Sequence, residues 1–184
     1  MIYYEYHTKS KSVIINAKAQ YPWLFTMSFA DESIEARYHL LRYLQDTYWY
    51  HWILDKDIYN RPIPIEFNGW LLFWSIAHTE NYIACIISDD RVGIDIAEIN
   101  FRNSALLMIF PEYEYVLIGE RNWETFYILW TSKEALIKKI YWKIEDMGEM
   151  YVQSYTDNRM IISFYQKEYT IYCIEWGTAT LAYC

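Results

Sequence analysis

The stretch Trp130-Thr131-Ser132-Lys133-Glu134-Ala135-Leu136-Ile137-Lys138 carries opposite charges at a spacing that chemistry can use. On a helix, Trp130, Glu134 and Lys138 lie four residues apart, so their side chains share one face and a carboxylate sits one turn from an ammonium. Taken alone, that spacing describes equally an exposed ion pair contributing about 0.3–0.5 kcal/mol. A second carboxylate sharpens the choice. Asp95 lies within Val92-Gly93-Ile94-Asp95-Ile96, a strand-like run whose neighbours read as buried on both faces, and a charge there requires a partner. Mg2+ is one candidate: it takes hard oxygen ligands, usually one or two protein carboxylates, and completes its octahedron with water and phosphate oxygens. Asp95 and Glu134 are the carboxylates that would supply them. His78, in Ser75-Ile76-Ala77-His78-Thr79, ends a strand at a turn, where ligand-binding side chains concentrate. It reads equally as a surface or hydrogen-bonded structural histidine, and it gains meaning only in company.

The elements that must hold these residues follow from periodicity. Ile34, Tyr38, Leu41 and Leu44 fall near one helical face and predict a helix from Asp31 or Ser33 to about residue 50, with Arg37 and Arg42 on it. Residues 55–62 read as a turn, because Asp and Asn favour one and Pro62 biases Arg61 away from helix; Arg61 is thereby presented on a loop. Strands are expected at residues 70–76, 82–88 and 92–96, then helices at about 112–118 and 123–141 with a break at Gly119. Four short strands, at 151–155, 160–165, 169–176 and 178–183, close the chain, joined by turns at 156–158, 166–168 and Gly177. Each half presents a helical region and several strands. This suggests two α+β lobes of similar plan, residues 1–90 and 91–184, in one compact unit, although no residue-level repeat stands out.

Composition excludes other readings. With 54% apolar and 22% charged residues the chain has ample material for a core and lacks the signature of disorder. An aromatic content of 20% suggests base stacking, but a formal charge of -8 and the lack of any Lys/Arg-rich run argue against nucleic-acid binding. Cys85, Cys173 and Cys184 are odd in number and show no CxxC spacing, so neither a disulfide framework nor a zinc knuckle is expected. The N-terminal residues have no signal-peptide core and no apolar stretch is long enough to span a bilayer, so a cytoplasmic protein without membrane association is expected.

In order, Asn60-Arg61-Pro62, Ile76-Ala77-His78-Thr79, Gly93-Ile94-Asp95-Ile96, and Trp130-Thr131-Ser132-Lys133-Glu134-Ala135 ending at Lys138 resemble the 4′-phosphopantetheinyl transferase superfamily. The resemblance runs from about Arg37 to Lys138 and is nearest to the longer surfactin-synthetase type; Phe110, Glu114 and Tyr115 also match the family's segment before the helix. It implies two pseudo-symmetric α+β lobes with coenzyme A in the cleft between them. Asp95 and Glu134 would hold Mg2+, Lys138 would neutralise phosphate charge, and Arg61, His78 and Arg37 would contact the nucleotide half. The implied reaction moves the phosphopantetheine arm of coenzyme A to a serine of an apo acyl or peptidyl carrier protein and releases adenosine 3′,5′-bisphosphate, with the enzyme acting as a monomer.

Departures from the pattern shape the remaining expectations. The longer-type motif is usually Gly-x-Asp-x-Glu, and Ala97 stands at its Glu position; Glu98, one residue on, faces away on a regular strand unless a bulge turns it. The stretch Asp95-Ile96-Ala97-Glu98-Ile99 instead looks like the shorter holo-acyl-carrier-protein-synthase type, which implies a two-carboxylate site. Arg61 replaces the family's Lys, and Ala77 its usual Ser. Because coenzyme A is anionic and the chain acidic, Arg37, Arg61, Lys133 and Lys138 are expected to cluster at the site. The alternative reading is a catalytically impaired module that binds coenzyme A or a carrier protein.

Overall fold

The computed structural model describes residues 2–8, 31–49, 52–176 and 178–184. The chain is an α+β protein that divides into two compact units, Met1–Val92 and Gly93–Cys184.

In unit 1, helix α1 (Asp31–Tyr48) forms where the spacing predicts one. Its apolar stripe, Ile34, Tyr38, Leu41 and Leu44, is buried in one cluster with Trp74, Ile76, Ile83, Cys85 and Ile87. Those partners come from strands β3 (Trp70–His78) and β4 (Tyr82–Ser88), on which α1 lies. The antiparallel sheet has the order β1-β4-β3-β2, with β1 at Ile2–Thr8 and β2 at Ile65–Phe67. Neither outer strand is expected from the spacing. β2 is joined to β3 by Asn68-Gly69, both at positive φ (50° and 81°), the left-handed pair that a two-residue hairpin needs. His78 closes β3 opposite Ile83.

In unit 2, β5 (Ile94–Glu98) is the edge of a five-stranded antiparallel sheet of order β5-β9-β8-β7-β6. The others are β6 (Tyr151–Thr156), β7 (Arg159–Phe164), β8 (Lys167–Trp176) and β9 (Ala179–Tyr183). Asp157-Asn158 and Tyr165-Gln166 turn two of the hairpins, all four at positive φ, so the second turn comes one residue before the expected one. Helix α2 (Glu112–Ile118) precedes the long helix α3 (Trp123–Ile140), with Gly119 between them. Asn122 caps α3 by accepting the Thr125 N–H at 2.8 Å, and left-handed Tyr141 (φ 60°) ends it just after Lys138 and Lys139. The face bearing Leu129, Ala135 and Leu136 packs into a core with Met160, Ile162, Ile171 and Ala182.

All three cysteines are buried thiols outside any disulfide, Cys85 in unit 1 and Cys173 and Cys184 in unit 2. Among the described residues no helix is long and apolar enough to cross a membrane.

Candidate metal and phosphate site

The helical motif divides its work around the barrel of α3. Trp130 stacks on Phe126 (5.9 Å, 25°) and tilts against Phe110 (6.5 Å), which anchors the helix laterally. One turn on, Lys133 is 2% exposed and points into the unit 2 core. Its ammonium donates to both Glu114 oxygens (3.0 and 2.7 Å) and to the Met150 carbonyl (2.8 Å), and it lies 4.6 Å from the Phe110 ring centre. Glu114 in turn accepts the Val152 N–H at 3.1 Å. Burial pulls the Lys133 pKa down while Glu114 opposes the shift. All three Nζ protons therefore have protein acceptors, and Lys133 is removed from the basic cluster in which it was expected. The reason is geometric: adjacent helical residues point about 100° apart, so Lys133 and Glu134 cannot serve the same surface.

Glu134 and Lys138 occupy the half-buried face. Lys138 donates to Asp95 Oδ1 at 2.7 Å and to the Ile94 carbonyl at 3.0 Å, so the cation partners the strand carboxylate and not, as in a simple i,i+4 pair, Glu134. Asp95 thus has the partner that its place in the strand demands. Glu134 feels both neighbours. Burial and then the Asp95 charge raise its pKa above the ordinary carboxylate value of 4.5, and Lys138 pulls it back.

Gly93 sets this arrangement. A Cβ there would lie 1.9 Å from the Ala135 carbonyl oxygen and 2.7 Å from the Lys139 backbone nitrogen, so only glycine lets the strand meet the helix this closely. The strand is also tied at this point by exchanged Gly93 and Cys184 backbone hydrogen bonds, each 3.1 Å. Asp95 is two residues further and therefore on the same face. Gly93 and the fully buried Ala135 are the paired small residues that bring Asp95 to Lys138 and within the field of Glu134.

Ala97 follows on that face, partly buried against the unit 2 core and paired with Thr180. The β5–β9 register runs unbroken from Ile94 to Glu98, so no bulge rotates Glu98 toward Asp95. Among the described residues no three His, Cys, Asp or Glu side chains gather as a metal cage. The set present is two hard carboxylates, one of them, Glu134, held toward its neutral form by burial and then by the Asp95 charge. That set fits a Mg2+ ion which retains several waters and takes phosphate oxygens.

Unit 1 holds the remaining expected residues. His78 is exposed at the end of β3. Arg61 is exposed in a turn closed by Asp57 N–H to the Arg61 carbonyl (2.9 Å) and Arg61 N–H to Asp57 Oδ1 (2.9 Å), with its guanidinium 5.1 Å from the Tyr59 ring centre. Arg37 differs from both. It is fully buried, donates from Nε to the Leu54 carbonyl at 3.1 Å and to Ser33, and lies 5.4 Å from the Trp74 ring centre; burial lowers its pKa to about 10. The Leu54 carbonyl leads directly into the Arg61 turn, which is also clamped by Ile63 N–H to the Asp55 carbonyl (2.9 Å). Arg37 thus braces the loop that presents Arg61. The structural roles of Lys133, Glu114 and Gly93 are not apparent in the spacing alone; the signal that could have found them is a glycine two residues before a strand Asp, and a Lys whose i±3 and i±4 neighbours, Leu129, Trp130, Leu136 and Ile137, are all apolar.

A β-strand carboxylate locked to a helical Lys, beside a helical Glu and across a glycine contact, is the feature that the family comparison covers. Residues 91–184 match the family described as the 4′-phosphopantetheinyl transferase superfamily, and the chain belongs to it. The chain is also similar to the 4′-phosphopantetheinyl transferase gsp of Aneurinibacillus migulanus, with 31% identity over 90 residues. That alignment covers 46% of this chain and 36% of the relative, so the chain spans well under two thirds of that protein's length.

Proposed function

We propose that this protein transfers the 4′-phosphopantetheine arm of coenzyme A to a serine of an apo acyl or peptidyl carrier protein. The observation that carries this reading is the Asp95–Lys138 pair with Glu134 on the same half-buried helix face. Asp95 and Glu134 would hold Mg2+, which supplies Lewis-acid neutralisation of the diphosphate. Lys138 adds an ammonium for phosphate charge that grows toward the transition state, the kind of preorganised stabilisation on which phosphoryl transfer depends. The serine oxygen forms a bond to the β-phosphorus as the bond to the bridging oxygen breaks, and adenosine 3′,5′-bisphosphate leaves with that oxygen. Glu134, whose pKa is raised by burial and by Asp95, is the base within this group for the serine proton.

Arg61 and His78, both exposed at turn ends, are assigned to the phosphates of the nucleotide half, and Arg37 supports that assignment by bracing the Arg61 loop. The protein would act as a monomer on coenzyme A in the cytoplasm. Incubation with Mg2+, coenzyme A and a panel of apo carrier proteins, read by intact-protein mass spectrometry, tests the reading. One carrier gaining the mass of phosphopantetheine is the expected result. Coenzyme A binding by calorimetry with no carrier modified would instead favour the impaired binding module, for which Ala97 in the place of a third carboxylate is the motivating residue.

A further inference from the structure

Asp95 already carries a cation in this structure. Lys138 reaches it from the last turn of α3 and is held by two acceptors on one strand, Asp95 Oδ1 at 2.7 Å and the Ile94 carbonyl at 3.0 Å. Its side chain is 30% exposed and that of Asp95 14%, so the contact is sheltered but open to solvent on one side. The third Nζ proton has no protein acceptor among the described residues. With both carboxylates ionised, Asp95, Glu134 and Lys138 together carry one negative charge. A dication entering between the carboxylates reverses the sign, and like charges then compete for the same Asp95 oxygens.

We propose that Lys138 is a tethered counter-cation that occupies the metal's place on Asp95 in the metal-free protein and is released toward an anion when the metal enters. This rests on the proposed metal site and adds to it an order of events. The metal alone binds weakly, because it must displace Lys138. A metal with a diphosphate binds cooperatively, because the anion receives the freed ammonium, and the coupling is reciprocal. A Lys138 that only staples β5 to α3 has the opposite signature, since its removal would loosen the carboxylates and weaken metal binding.

The test titrates Mn2+ alone, and Mn2+ with inorganic pyrophosphate after correction for their own complex, into wild-type protein, Lys138→Met and Glu134→Gln, with free Mn2+ read by electron paramagnetic resonance. Lys138→Met should bind Mn2+ alone on the order of tenfold more tightly than wild type, while the gain in Mn2+ affinity from pyrophosphate shrinks by a similar factor. Equal or weaker Mn2+ binding by Lys138→Met, with the pyrophosphate gain intact, overturns the proposal. If neither wild type nor Lys138→Met shows saturable binding that Glu134→Gln weakens, the metal-site reading itself fails, and the proposal with it. Should Lys138→Met not fold by circular dichroism, the ammonium resonance of 15N-lysine wild-type protein decides. Loss of the Lys138 contact to Asp95 on saturation with Mg2+ is expected, and its persistence refutes the idea.

Discussion

In unit 1 a helix lies on a four-stranded antiparallel sheet, and Arg61 and His78 stand exposed at the ends of turns; in unit 2 a helix lies on a five-stranded antiparallel sheet, and Asp95, Glu134, Lys138 and Lys133 are all at least half withdrawn from water. The plan is shared, yet the charges are used differently. Unit 1 presents Arg61 on a short, internally hydrogen-bonded turn, and Arg37, the one buried cation among its described residues, serves that loop rather than the surface. Unit 2 ties Asp95 to Lys138, and Lys133 to Glu114, across different elements of the fold. The lesson is that altering Asp95, Lys138 or Lys133 changes the scaffold, whereas altering the exposed Arg61 or His78 acts chiefly at the surface. The family match falls on unit 2, where motif and fold are the same residues.

The sharpest way to break this contrast is Lys133→Met. It leaves Glu114 buried without its cation, and an unfolding titration should show a loss of about 3–5 kcal/mol. The double change Lys133→Met with Glu114→Leu should recover only part of it, because the Val152 N–H and Met150 carbonyl stay unpaired. Next in size is Gly93→Ala, whose Cβ meets helix backbone and forces β5 away from α3, at a cost of about 1–3 kcal/mol. Gly148→Ala, with nothing within 4 Å of the added Cβ, is the matched control and should be nearly neutral. If the two glycine changes behave alike, the close contact is not what positions Asp95.

Glu134→Gln sharpens the contrast through pH. Folding raises the Glu134 pKa, so this group's contribution is fully present below 4.5 and is lost as pH rises through the raised native value. Glutamine mimics the neutral form at every pH. Without divalent cations the variant should therefore match wild type in Tm at pH about 4 and exceed it at pH 7. Added Mg2+ should raise the wild-type Tm alone, by linkage. Smallest of all are Arg61→Ala and His78→Ala, expected within about 0.5 kcal/mol of wild type in stability while weakening coenzyme A binding measured by calorimetry.

Much of the fold is legible in the residue spacing. The helical stripe of Ile34, Leu41 and Leu44, the helical run from Trp123 and the strand pattern of the last quarter all obey simple periods, and the structure keeps them. Asn68-Gly69 is a strong hairpin signal that should have placed β2, but three residues are too few to show alternation. The partners of the site charges were not legible. Periodicity says that Glu134 and Lys138 share a face, but whether Lys138 turns to Glu134 or to Asp95 depends on how near β5 comes, and Gly93 decides that. Lys133 lies outside the expected basic cluster for a related reason: it is one position from a site residue in sequence but about 100° away around the helix. Glu114, which claims it, comes from a different helix.

The buried cysteines give the molecule a pair of internal clocks. Cys173 shares a 3.2 Å contact with Ser132, and burial pushes its thiol up to about 11; Cys184 is pushed up to about 12. A protonated, shielded sulfur reacts only while the structure around it is open, so alkylation records how often that happens. Cys85 times the opening of unit 1 and Cys173 and Cys184 that of unit 2, so labelling resolved peptide by peptide would show in one sample whether the two halves breathe together or apart.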